Sequence, residues 1–133
     1  MVGPGTGIAP MRALMQERVR RKAKGRNLLF FGCRRKGEDW LYRDEMESWV
    51  GSGQMELFTA FSREQKDKVY VQNVIAKESA MVKDLVQSQG AWVYVCGATA
   101  MGAEVVKAIK DVVGEEAVKK MQDDGKLIQE LWA

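Results

Sequence analysis

Leu28-Leu29-Phe30-Phe31-Gly32 is the stretch that most limits what this chain can become. It carries no polar side chain and is too short for a helix, so it reads as a strand covered on both faces. Such a strand belongs in a parallel sheet with helices on either side. Trp92-Val93-Tyr94-Val95-Cys96-Gly97 repeats the pattern, Met55-Glu56-Leu57-Phe58-Thr59-Ala60-Phe61 gives another strand, and Leu127 to Trp132 gives a last short one on the sheet edge.

Helical periodicity fills the intervals. Ile8, Met11, Leu14, Met15 and Val19 share one face, with Pro10 tolerated in the first turn and Gly25 expected to cap the end. Tyr42, Met46, Trp49 and Val50 form a second face, with Asp39, Asp44 and Glu45 towards its N-terminal half and Gly51-Ser52-Gly53 as the break. Val71 to Gln89 reads as two helical pieces ended by Gly90. Met101, Val105, Ala108, Ile109, Val112 and Val113 form the next helix, closed by Gly114, and Ala117, Val118 and Met121 a short one after it. Strand and helix alternate throughout. The expected fold is α/β, an open doubly wound parallel sheet of Rossmann-like type.

Gly3-Pro4-Gly5-Thr6-Gly7 precedes the first helix. Backbone without Cβ atoms can approach a phosphate, and the first N–H groups of a helix attract an anion. The same residues also suit an ordinary turn. A phosphate-holding turn usually follows a strand, and only Met1 and Val2 stand before this one. We therefore expect the first strand to be largely missing and residues 1–133 to be one domain of a longer protein.

Composition excludes some chemistry. The chain has no histidine, which removes histidine triads and most zinc or haem ligation. Two cysteines are too few for a structural zinc site, and beside eight methionines they read as reduced and cytoplasmic, or on the cytosolic face of a membrane. No metal site and no membrane segment are expected. A net charge of +3 is mild. Its basic cluster Arg18, Arg20, Arg21, Lys22, Lys24 and Arg26 reads as a solvated helix end, with a nucleic-acid patch as the alternative.

In such a sheet, ligands bind at the carboxyl ends of strands. Every unusual loop lies there: Gly3–Gly7, Cys33–Arg35, Ser62–Tyr70 and Cys96–Met101. Ser62, Arg63, Lys68 and Tyr70 offer a phosphate monoester charged donors and hydroxyls, where an NAD-selective site would offer a carboxylate. The same loop suits a charged surface turn. Arg34 suits a pyrophosphate or solvent. Cys96 suits a reactive ring or the core. Trp132 suits a plug on the core or a lid over an aromatic cofactor.

Taken together, several blocks resemble the NADPH-binding module of the diflavin reductases, within the ferredoxin–NADP reductase superfamily. These are Gly3–Pro10, Phe31-Gly32-Cys33-Arg34-Arg35, Tyr42-Arg43-Asp44-Glu45, Phe61-Ser62-Arg63-Glu64-Gln65, Lys68-Val69-Tyr70-Val71-Gln72 and Val93-Tyr94-Val95-Cys96-Gly97. The family includes NADPH–haemoprotein reductase, the reductase half of nitric oxide synthase and sulfite reductase flavoprotein. The resemblance implies NADP(H) bound by Gly5, Thr6, Gly7, Arg34, Ser62, Arg63, Lys68, Tyr70, Gln72, Cys96, Gly97 and Met101. It implies that Cys96, Glu130 and Trp132 serve hydride transfer to FAD on a neighbouring domain. Electrons then pass to FMN and to a haem protein or other acceptor. Ala98 and Glu130 depart from the family, which carries aspartate at both places. No flavin-binding stretch lies in these residues, so the chain alone is expected to reduce nothing. A non-enzymatic nucleotide-sensing or partner-binding module is the alternative.

Overall fold

The computed structural model describes residues Met1–Ala133. Four strands are formed: β1 (Leu28–Cys33), β2 (Glu56–Phe61), β3 (Val93–Ala98) and β4 (Leu127–Trp132). The helices are α1 (Ile8–Arg20), α2 (Arg43–Gly51), α3 (Val71–Lys77), α4 (Ser79–Gln87), α5 (Thr99–Val113) and α6 (Glu115–Asp123). None is long and apolar enough to cross a membrane.

β1 pairs with β2 and β3 with β4, both in parallel. Val2 alone joins the two halves. Its N–H donates to Tyr94 O at 2.7 Å, and its carbonyl accepts from Cys96 N–H at 3.0 Å. On the other side Phe30 N–H donates to Met1 O at 2.9 Å and Gly3 N–H to Phe30 O at 3.0 Å. Val2 thus bridges β1 and β3 in parallel. The order is β2-β1-Val2-β3-β4, which reverses direction at Val2 and makes the sheet doubly wound. Val2 stands where the first strand was expected.

Strand alternation sorts the core into two layers. Leu29, Phe31 and Cys96 face α1 and α2, packing on Ile8, Met11, Met15, Met46 and Trp49. Phe30, Ala60, Val95 and Leu127 face the other helices, packing on Val71, Ile75, Val105, Ile109 and Val118. β1 is buried along Leu28 to Gly32, as its sequence requires of a central parallel strand.

Two helix boundaries differ from expectation. α1 ends at Arg20 rather than at Gly25. Lys22 takes the left-handed φ of 52° that closes the helix, while Lys22 N–H bonds Val19 O and Ala23 N–H bonds Arg18 O. That bond pair caps the helix end without a glycine. Tyr42 precedes α2 with φ 55° and is exposed, so only Met46 and Trp49 of its expected apolar face are buried. Tyr42 is held from outside, with the Arg12 guanidinium 4.6 Å from its ring centre. Arg12 also bonds Glu45 at 2.6 Å, tying α1 to α2.

Candidate functional site

The chain leaves Val2 at the switch point and enters a tight 3-10 turn over Gly5–Gly7. Gly5 sits at φ 56°, a conformation that side chains with a Cβ resist. A Cβ on Gly7 would press into the Cys96 carbonyl, so only glycine lets this turn lie against β3. α1 follows directly.

Beside the turn opens a cleft of about 620 Å³. It spans the carboxyl ends of β1 and β2 and the starts of α3 and α5. Gly5, Arg34, Ser62, Arg63, Lys68, Tyr70, Gln72 and Met101 all line it. Two hydrogen bonds draw the loop after β2 against the one after β1. Ser62 N–H donates to Cys33 O and Arg63 N–H to Arg34 O, each at 2.9 Å.

The charge of this cleft is unbalanced. Arg12, Arg20, Arg21, Arg26, Arg35, Arg43 and Lys120 occupy the chain's ion pairs, whereas Arg34, Arg63 and Lys68 take part in none. Three free cations with the hydroxyls of Ser62 and Tyr70 suit a multiply charged anion. Gln72 adds an acceptor. Its Oε1 is shielded from solvent and has no partner in the protein, an arrangement buried polar atoms rarely tolerate. Tyr70 is placed by Asn73, whose Oδ1 accepts its N–H at 2.8 Å.

The remaining predicted residues do not line the cleft. Thr6 and Gly7 belong to the turn. Gly97 packs on Met101 and Pro4, both of which line the cleft. Cys96 faces Glu130 in the register of β3 and β4, and Ala98 faces Trp132. The Cys96 thiol is pushed above its usual range by burial and then by the Glu130 carboxylate. Trp132 is 45% exposed, so it does not plug the core. Thr99 Oγ1–H donates to the Trp132 carbonyl at 2.9 Å and holds the end of β4 against α5.

Cys33, Val69 and Ala100, which lie within the strand-end loops named above, also line the cleft, as do Asp39 and Glu104, which were not anticipated from sequence. Asp39 was expected at a helix start. It instead accepts Arg35 N–H at 3.1 Å in the loop after β1. Only the fold brings Glu104 here from α5, so no local pattern could mark it. The basic cluster Arg18–Arg26 lies elsewhere and is largely engaged within the chain. Arg18 bonds Asn27 and the Lys24 carbonyl, Arg20 and Arg21 bond Glu17, and Arg26 bonds Glu56.

A doubly wound parallel sheet with a cationic cleft at its switch point is the architecture of dinucleotide-binding α/β domains. The chain belongs to the oxidoreductase NAD-binding domain family, whose family model matches residues 1–107. It is 40% identical to an NADPH–cytochrome P450 reductase of Aspergillus oryzae, matched over 100% of this chain and 21% of that protein. It is 48% identical to NADPH-dependent diflavin oxidoreductase 1 of Xenopus laevis, over 85% of this chain and 19% of the relative. It is 44% identical to the sulfite reductase [NADPH] flavoprotein alpha-component of Aliivibrio fischeri, over 98% and 22%. The chain thus spans about a fifth of the length of these curated relatives.

Proposed function

We propose that residues 1–133 are the NADP(H)-binding domain of a longer diflavin reductase. The observation that carries this reading is the set of unpaired cations, Arg34, Arg63 and Lys68, meeting Ser62 and Tyr70 beside the Gly5–Gly7 turn. The relatives' names, all of NADPH-dependent or NADPH-linked proteins, support the same reading.

The residues present fit the dinucleotide. Arg63, Lys68, Ser62 and Tyr70 would receive the adenosine 2′-phosphate. Arg34, Thr6 and the turn's backbone would receive the pyrophosphate, beside Gly5, where a Cβ would meet no atom within 4 Å. The orphaned Gln72 Oε1 would accept from the adenine amino group. Bound NADPH supplies a hydride for FAD on a neighbouring domain, from which electrons reach FMN and a haem protein or other acceptor. Cys96 and Glu130, adjacent on β3 and β4, would flank the nicotinamide end. Burial keeps the Cys96 thiol protonated and uncharged there. Trp132, exposed at the end of β4, would cover the flavin face until the nicotinamide displaces it.

Titration of the chain with 2′,5′-ADP and with 5′-AMP tests the reading. The 2′-phosphorylated ligand should bind more tightly. Arg63→Ala should weaken that ligand selectively, by about 1.5–3 kcal/mol for one charged hydrogen bond. Equal affinity for the two ligands in the wild-type chain would overturn it.

A further inference from the structure

The loop Ser62–Tyr70 alternates between two tasks. Ser62, Arg63, Lys68 and Tyr70 line the cleft, while Glu64, Gln65, Lys66 and Asp67 do not. Its first arm is well anchored. Ser62 and Arg63 bond the backbone after β1, and Glu64 Oε1 accepts Lys36 N–H at 2.8 Å. Its second arm is not anchored in this way. No backbone–backbone hydrogen bond involves residues 65–69.

One side chain closes that gap. Gln65 Nε2 donates to Phe61 O at 2.7 Å and to Asp67 O at 2.9 Å. Phe61 is the last residue of β2, and Asp67 immediately precedes Lys68. Both partners are acceptors, so the amide nitrogen must be the group between them. Its two hydrogens serve one carbonyl each.

We propose that Gln65 is a positioning residue that sets selectivity for 2′-phosphorylated adenosine by clipping Arg63 and Lys68 to one wall of the cleft. The proposal rests on the dinucleotide reading above. Arg63 and Lys68 carry the same charge, and neither is held in an ion pair. With the second arm released, the loop must be ordered each time a phosphate binds, and that ordering opposes binding. Gln65 makes its side-chain hydrogen bonds to Phe61 and Asp67 and does not line the cleft. Its effect therefore falls on the ligand that needs both cations and spares one that lacks the 2′-phosphate.

The test compares the wild-type chain with Gln65→Met, which keeps the side chain's length and removes both donors. Calorimetric titration with 2′,5′-ADP and 5′-AMP is paired with backbone NMR order parameters at the Arg63 and Lys68 amides. The variant should bind 2′,5′-ADP about tenfold more weakly, the scale of two lost neutral hydrogen bonds. Its affinity for 5′-AMP should stay within about twofold and its melting temperature near wild type, since Gln65 is exposed. The Lys68 amide should show a lower order parameter in the free variant and regain the wild-type value when 2′,5′-ADP saturates it. A wild-type chain that prefers 2′,5′-ADP together with an unaffected variant overturns the role of Gln65 alone. Equal weakening of both ligands also overturns it, because Gln65 would then support the cleft in general. A wild-type chain without preference overturns this proposal and the dinucleotide reading together.

Discussion

Cys96 and Glu130 are register partners on adjacent parallel strands, a buried thiol beside an exposed carboxylate. Burial is the larger cause of the raised thiol pKa and the carboxylate the smaller. Cys96 should therefore react slowly with iodoacetamide near neutral pH. In a Cys33→Ser background, Glu130→Gln should move the pH–rate profile to lower pH and raise the rate at pH 9 by up to about threefold, the scale of a screened neighbouring charge. Superimposable profiles would show that the carboxylate is not felt at the sulfur.

Arg34 and Arg63 serve different phosphates in the proposed binding mode, although their backbones are joined. Arg34→Ala should weaken NADP⁺ about tenfold and leave 2′,5′-ADP, which has no pyrophosphate, nearly unchanged; ~1.4 kcal/mol suits one charge-assisted contact. Calorimetry with both ligands reads the difference. A parallel loss for both would place Arg34 at the adenosine end instead.

The two glycines of the turn should not tolerate alanine equally. Gly7→Ala drives a Cβ into the Cys96 carbonyl, a backbone atom on a central strand. It should cost about 3 kcal/mol or more, since neither partner can relax without moving β3. Gly5→Ala meets open space and strains only its own φ of 56°, for about 1–2 kcal/mol. Urea denaturation of the two variants gives the order directly.

The strands were legible in the sequence because burial on both faces leaves a continuous apolar run, as in Leu28–Gly32. The cleft was legible for a related reason. Loops after parallel strands converge, so Arg34 and Arg63 could be grouped without knowing the contacts between them. The end of α1 was not legible. Gly25 carries the usual residue type for a cap, but Lys22 adopts the left-handed turn because Val19 O and Arg18 O accept the next two amides. Tyr42 was misassigned to an apolar face because periodicity says nothing of Arg12, which reaches its ring from another helix. Gln65 reads as one more polar loop residue until the two carbonyls it joins are seen.

Val2 is a keystone of a single residue, and the cleft straddles the seam it closes. Arg34, Ser62, Arg63 and Lys68 hang from one half-sheet, whereas Met101 begins a helix rooted in the other. A dinucleotide in contact with both sides would act as a strap across that joint. Ligand affinity and resistance to splitting of the sheet should then rise or fall as one quantity.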